Sequence, residues 1–252
     1  MRLITIANQK GGCAKTTTVV NFAACLAELN QRVLVIDLDP QSNASQWLGF
    51  EESKGGSAEI FKSQQKIEDL VQPSGVAGVD LIPASQELAQ IEKLLAGELS
   101  VETILKRRIQ KMNSENYDFV LIDTPPTLGL LTLNALAAAK ELLIPVTTHV
   151  MTLSGVAQLI NTVSNVREIL NPDLSILGFI ASRVDMRTRH SQEVLESLTE
   201  RFGDQVFKAI IRENVRLAEA PSYSESIIEY DKNSMAANDY RALTKEILQR
   251  AN

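Results

Sequence analysis

The chain has 252 residues, 44% of them hydrophobic and 22% charged, an ordinary share for a globular protein. No stretch approaches the ~20 apolar residues that span a bilayer. The net charge of −6 excludes a protein that binds nucleic acid through its overall charge, so any such contact must come from a local patch.

The predicted elements alternate along the chain. Residues 3–7 form an apolar run straight after Met1 and Arg2, which leaves no room for a signal or transit peptide. Similar runs rich in Val, Ile and Leu stand at 33–36, 79–82, 119–122, 142–146 and 176–184. Short apolar runs without alternation suit strands buried on both faces, which points to a parallel sheet. Between them, helical spacing predicts helices over 16–29, 86–95, 101–112, 130–139, 153–170, 188–202 and 239–250. A short helix near 57–61 follows a loose loop at 51–56. In the helix over 153–170, Leu153, Val156, Leu159, Ile160, Val163, Val166, Ile169 and Leu170 form one apolar face toward the sheet, and Asn171-Pro172 ends it. The expected fold is a single α/β domain over 1–252, a doubly wound, mainly parallel sheet that binds its ligand at the carboxyl ends of the strands.

Residues 8–18, NQKGGCAKTTT, directly follow the first strand and open the first helix. A strand, a glycine turn and a helix start place backbone N–H groups around anionic oxygens, and the helix dipole favours their charge. Gly11, Gly12, Cys13, Ala14 and Thr17 would line such a cradle, with Lys15 neutralising the β- and γ-phosphates and Thr16 ligating Mg²⁺. The spacing is not the usual G-x-x-x-x-G-K-[ST], because Gly12 stands too close to Lys15; a second lysine, Lys10, opens the loop instead. The ligand expected is a nucleoside triphosphate with Mg²⁺.

Asp37 and Asp39 end the second strand in VIDLDPQ, and two residues apart on an extended segment their side chains should both face the strand-end crevice. Phosphoryl transfer needs a carboxylate to orient or deprotonate the attacking water. Asp123 closes the apolar strand FVLID and fits a Walker B carboxylate that holds Mg²⁺ through water. The following TPPTLG, stiffened by Pro125 and Pro126 and able to flex at Gly129, reads as a switch segment that senses the γ-phosphate. Cys13 and Cys25 have no metal-ligand spacing and are expected as reduced thiols. Trp47 reads as packing, and His149 as a partly buried histidine without a catalytic role.

The loop KGGCAKT over 10–16 resembles the deviant Walker A motif of the ParA/MinD group of ATPases, pattern KGGxGK[ST]. VLVIDLDPQSNAS at 33–45, FVLIDTPPTLGLLTLNAL at 119–136 and NVRLAEAPS at 214–222 match in the expected order, so the likeness covers nearly the whole chain. It is similar above all to the Soj-like ParA proteins. The resemblance implies a P-loop fold with ATP as the nucleotide and an ATP-dependent sandwich dimer in which Lys10 reaches the partner's nucleotide; with the loop already at residue 10, the N-terminal helix-turn-helix domain of some relatives is not expected. It assigns the water to Asp39, leaves Asp37 to support the loop and the metal's surroundings, and puts the adenine between the loop after 184 and residues 211–214, near Ser182, Arg183 and Arg212. It further implies nonspecific DNA binding on the nucleoid through Arg187 and Arg216, and a ParB-like or other adaptor that stimulates hydrolysis in the cytoplasm. The cargo would be a chromosome, a plasmid or a large protein assembly.

Three departures stand out. Ala14 occupies a glycine position, where a β-carbon limits a positive φ. Glu213 replaces a basic residue, and YDKNSMA at 230–236 replaces an arginine-bearing segment. The alternative reading is a MinD-like membrane switch; Arg241, Lys245 and Arg250 lie among apolar residues of the last helix, which reads instead as a packing helix. A cluster carrier like the nitrogenase iron protein does not fit, because neither cysteine lies near 123–160.

Overall fold

A run of alternately directed apolar side chains can be buried on both sides only as an interior strand, and this chain supplies several such runs. In the computed structural model, which describes residues 1–50, 56–148 and 153–250, they become β1 (Arg2–Ile6), β2 (Val33–Asp37), β4 (Val79–Ile82), β5 (Phe119–Asp123), β6 (Glu141–Thr147) and β7 (Ser175–Val184). Two two-residue strands, β3 (Gln72–Pro73) and β8 (Ile211–Arg212), complete one sheet in the order β3-β4-β2-β5-β1-β6-β7-β8. All neighbours pair parallel except β3, which runs antiparallel along β4.

The helices are α1 (Lys15–Glu28), α2 (Asn43–Trp47), α3 (Glu59–Lys62), α4 (Ile91–Leu94), α5 (Ile104–Ile109) and α6 (Leu130–Ala138), followed by α7 (Leu153–Ile169), α8 (Arg189–Phe202), α9 (Val215–Glu219), α10 (Ile227–Tyr230) and α11 (Met235–Gln249). The period of two splits each central strand between two layers. Val33 and Val35 of β2 pack with the apolar faces of α1 and α11, while Leu34 and Ile36 pack with residues of α5, α6 and α7. The doubly wound architecture is therefore as expected.

Several element boundaries moved. The helices expected over 86–95 and 101–112 each open as a 3₁₀ turn (Gln86–Gln90 and Val101–Thr103) before the α-helical part. In α7, Val156, Leu159, Val163 and Val166 are buried as expected, but Ile169 is 76% exposed. At about 100° per residue, position 169 falls on the flank away from the stripe through 156, 159, 163 and 166. The expected loop over 51–55 and His149 lie outside the described residues. Tyr240, Leu243 and Ile247 of α11 are fully buried, and Arg241 pairs with Glu28 at 2.7 Å. The apolar face of the last helix is spent on α1 and β8, and no helix among the described residues is long and apolar enough to cross a membrane.

Candidate functional site

The carboxyl ends of β1, β5 and β2 lie side by side, with Ile6 opposite Asp123 and Asp123 opposite Asp37. The loop 8–14 leaves β1 at this point and turns into α1. Gly12 (φ 71°) and Ala14 (φ 63°) both take the left-handed conformation on either side of Cys13. Such turns bring successive backbone N–H groups to one side and form an anion-binding hollow at a helix start. Ala14 is the residue before α1 and supplies no side-chain cap, so the first amides of the helix stay open to a ligand. A left-handed alanine costs about 1–2 kcal/mol relative to the right-handed form, so the loop holds this shape against strain.

A cavity of about 480 Å³ lies over this loop, walled by residues 11–17 on one side and by Asp39, Gln41, Asn43, Gln46 and Trp47 on the other. Pro126 and Pro221 close its rim. Lys15 projects from the first turn of α1 and is only 7% exposed. Burial pushes its ammonium pKa down, against the opposing pull of Asp123 and then Asp39. Thr16 donates its hydroxyl to Asp123 Oδ2 at 2.6 Å, which sets both oxygens at the mouth of the loop. Asp123 is fully buried, and burial followed by repulsion from Asp37 raises its pKa well above the ordinary carboxylate range. A hydroxyl and a carboxylate are hard oxygen donors, and a divalent cation beside them would offset the repulsion that keeps Asp123 from ionising. The donor set therefore fits Mg²⁺.

Asp37 and Asp39 do not share a direction, which corrects the expectation that both face the crevice. Asp37 accepts hydrogen bonds from Ser45 N at 2.9 Å, Ser45 Oγ at 2.7 Å and Asp39 N at 3.0 Å. Its carboxylate is used within the fold and does not reach the cavity; it fixes the turn that presents Asp39. Asp39 lies at the wall itself and accepts from Gln41 N at 3.0 Å. The physical reason is the start of α2, whose Ser45 draws the first carboxylate inward and leaves the second at the surface of the cavity.

A second cavity of about 350 Å³ shares Gly12, Ala14 and Thr17 with the first, so one continuous cleft runs along the loop. Arg183, Arg212 and Asn214 wall its far side. Arg212 is held by Asp239 through its Nε at 3.0 Å, and Arg183 pairs with Glu213 at 3.3 Å. Ser182 is buried and is not among the residues of this wall.

Lys10, Arg187, Arg216 and Cys25 do not line the cleft. Lys10 is half-buried and lines neither cavity. Arg187 pairs with Asp185 at 2.9 Å and Arg216 with Glu219 at 3.2 Å, both in solvent. They leave the same edge of the sheet, following Val184 and Arg212, which are paired in β7 and β8. Cys13 and Cys25 are both buried free thiols, and burial pushes Cys25 up to about 12. Trp47 packs against the fold, donating to Glu225 O at 2.7 Å, and also walls the phosphate cavity. Sequence reasoning missed Gln41, Asn43 and Gln46 as cavity walls; they lie in the quoted stretch 33–45 or next to it, but an amide side chain carries no chemistry that singles it out.

A family model described as "AAA domain" matches residues 1–176. The sporulation initiation inhibitor protein Soj of Bacillus subtilis is 43% identical over 248 residues, covering 98% of each chain. The chromosome-partitioning ATPase Soj of Thermus thermophilus is 43% identical, covering 99% of this chain and 96% of its own. A structure of cobyrinic acid a,c-diamide synthase from Mycobacterium smegmatis with bound ATP analog and magnesium superposes with a TM-score of 0.88 at 34% identity, covering 100% of this chain and 96% of the other.

Proposed function

The chain belongs to the Soj/ParA family of partition ATPases and hydrolyses ATP with Mg²⁺; from that premise we propose that two copies close face to face over two ATP molecules and, when closed, hold nonspecific duplex DNA until a partner protein stimulates hydrolysis. The observation that carries this reading is Lys10. It stands five residues before Lys15 on the same loop, yet it lines neither cavity of its own chain and forms no ion pair among the described residues. A cation beside the phosphate site but outside it supports a role on a neighbour's nucleotide, where it would neutralise charge as an arginine finger does.

Within each copy, the backbone of residues 11–17 would receive the triphosphate and Lys15 would neutralise its outer oxygens. Thr16 and Asp123 would hold Mg²⁺, the latter through water. Mg²⁺, when bound, supplies charge neutralisation across the phosphate oxygens. Asp39 would orient the attacking water and accept its proton, on a turn fixed by Asp37. Arg183 and Arg212 would flank the base in the second cavity. The loop 124–129 would act as the switch, because Pro126 reaches the rim of the phosphate cavity from the strand end that carries Asp123.

Arg187 and Arg216 would contact DNA phosphates, and a dimer doubles that patch, so affinity should be sequence-independent, salt-sensitive and ATP-dependent. Hydrolysis then returns the monomer, which makes the nucleotide a population switch between nucleoid-bound and free cytoplasmic states. The cargo moved in this way would be a chromosome, plasmid or large assembly, tethered through a ParB-like or other adaptor. A membrane-bound positioning role has less support, since α11 spends its apolar face on the fold.

Light scattering with a slowly hydrolysed ATP analogue, combined with a gel shift on nonspecific duplex DNA, tests the proposal. Dimer mass and a shift with the analogue, but neither with ADP, are the expected results. A monomer that shifts DNA equally with either nucleotide would overturn it.

A further inference from the structure

We propose that Glu92 is a positioning residue for ATP hydrolysis: its carboxylate, reaching from α4, caps the first turn of α6 and fixes the loop 124–129 against the phosphate cavity. The inference rests on the switch reading of that loop. Helix α6 begins without a cap of its own, because its N-cap residue is Gly129 and its first turn carries no acid. The Leu130 N–H nevertheless donates to Glu92 Oε1 at 2.7 Å. A carboxylate at a helix start is favoured by the dipole and by a charge-assisted hydrogen bond. The approach depends on the glycine, since a β-carbon on residue 129 would lie 2.3 Å from Glu92 Oε1.

Two further observations give this contact a consequence. The loop ahead of it is short and tied at both ends. Thr124 Oγ1 donates to Ile6 O at 2.8 Å, and Thr132 Oγ1 donates to Thr127 O at 2.6 Å. Pro126, between those ties, lines the phosphate cavity. On the other side, the 3₁₀ turn Gln86–Gln90 leads directly into α4, and Gln86, Ala89 and Gln90 form one wall of a groove whose opposite wall is Pro40, Gln41 and Gln46. Gln41 and Gln46 also wall the phosphate cavity, beside Asp39. One segment therefore flanks the loop that presents Asp39 and, through Glu92, holds the loop that follows Asp123. Releasing one end misaligns reacting groups, which costs rate more than ground-state binding.

Glu92 is exposed, so truncation opens no core. Glu92→Ala, Glu92→Gln and Gly129→Ala are compared with wild type, with Pro126→Ala as a probe of the loop itself. Steady-state ATPase kinetics and amide hydrogen exchange of the nucleotide-free protein are measured on each. Glu92→Ala should lower kcat about three- to tenfold, the effect of a lost cap, with KM changed by less than about twofold. The Leu130 amide should exchange faster in the same variant. Glu92→Gln, whose amide oxygen still accepts the bond, should recover most of the rate, and Gly129→Ala, which displaces the carboxylate, should mimic Glu92→Ala. Unchanged kcat in Glu92→Ala, a loss that Gln does not relieve, or a loss without faster Leu130 exchange overturns the role. If Pro126→Ala alone alters kcat, the switch reading stands and the Glu92 role falls; if neither alters it, both fall.

Discussion

At the phosphate end of the cleft, Lys15, Asp37, Asp39 and Asp123 are each less than a tenth exposed, whereas Arg187 and Arg216 keep 88% and 58% of their side chains in solvent. Both regions gather ionisable side chains, yet they are built on different terms. A buried charge persists only where partners compensate its desolvation, so the arrangement of Thr16, Lys15 and Asp123 specifies a ligand that completes the compensation. An exposed pair such as Arg187 with Asp185 gains little over water and can exchange its carboxylate for a phosphate oxygen at small cost. The first arrangement calls for a ligand; the second can change partners.

Substitutions in each region test how far they differ. Lys10→Ala should remove partner-stimulated hydrolysis by about 10³-fold, the scale of a charge supplied in trans, while ATP binding measured by a fluorescent analogue survives. Wild-type stimulation in this variant would show that the buried region is sufficient by itself. Asp39→Ala should reduce turnover by at least about 10²-fold with dimer formation retained, as expected for a lost general base. Phosphate release at saturating ATP measures it, and unchanged release would move the water to another residue.

Arg216→Glu should weaken binding to nonspecific DNA about tenfold at low salt and flatten the salt dependence, without altering basal ATP turnover. A loss confined to one DNA sequence would contradict a phosphate contact.

A pH titration of the nucleotide-free protein probes the cost of the buried cluster. Burial raises Asp37 to about 6 and Asp123 to about 8 from an ordinary 3.8. The folded state then retains protons that the unfolded chain has released, so the stability they contribute is complete below pH 3.8 and is lost as pH rises through 6 and 8. Lys15, shifted downward, has the opposite sign and acts on the alkaline side. Melting temperature should fall between pH 5 and 8, and Asp123→Asn should flatten the upper part of that slope. A slope unchanged in Asp123→Asn would exclude this carboxylate as its source. The smallest effect belongs to Ala14→Gly, which relieves the left-handed strain and should raise the melting temperature by about 2–4 °C; differential scanning calorimetry would detect its absence.

The order of elements was legible because each strand and helix is coded by a contiguous stretch, and the phosphate loop because its glycines, lysines and threonine are neighbours in the chain. The carboxylates at 37, 39 and 123 were legible as strand ends for the same reason, though their directions were not. Ser45 turns Asp37 inward, and nothing in the spacing of VIDLDPQ foretells it. The exposure of Ile169 in α7 was likewise missed, since a 3–4 residue pattern fixes a stripe only while each new residue stays within its width.

The alternating fold and the loop that opens α1 could be read from contiguous residues, because short-range chemistry and periodicity suffice for each. Which carboxylate meets the cavity, which acids Arg183 and Arg212 hold, and the meeting of Glu92 with Leu130 were settled by the folded chain. These depend on residues far apart in the chain, brought together by the sheet, and a side chain's partner is chosen by what the fold places within reach.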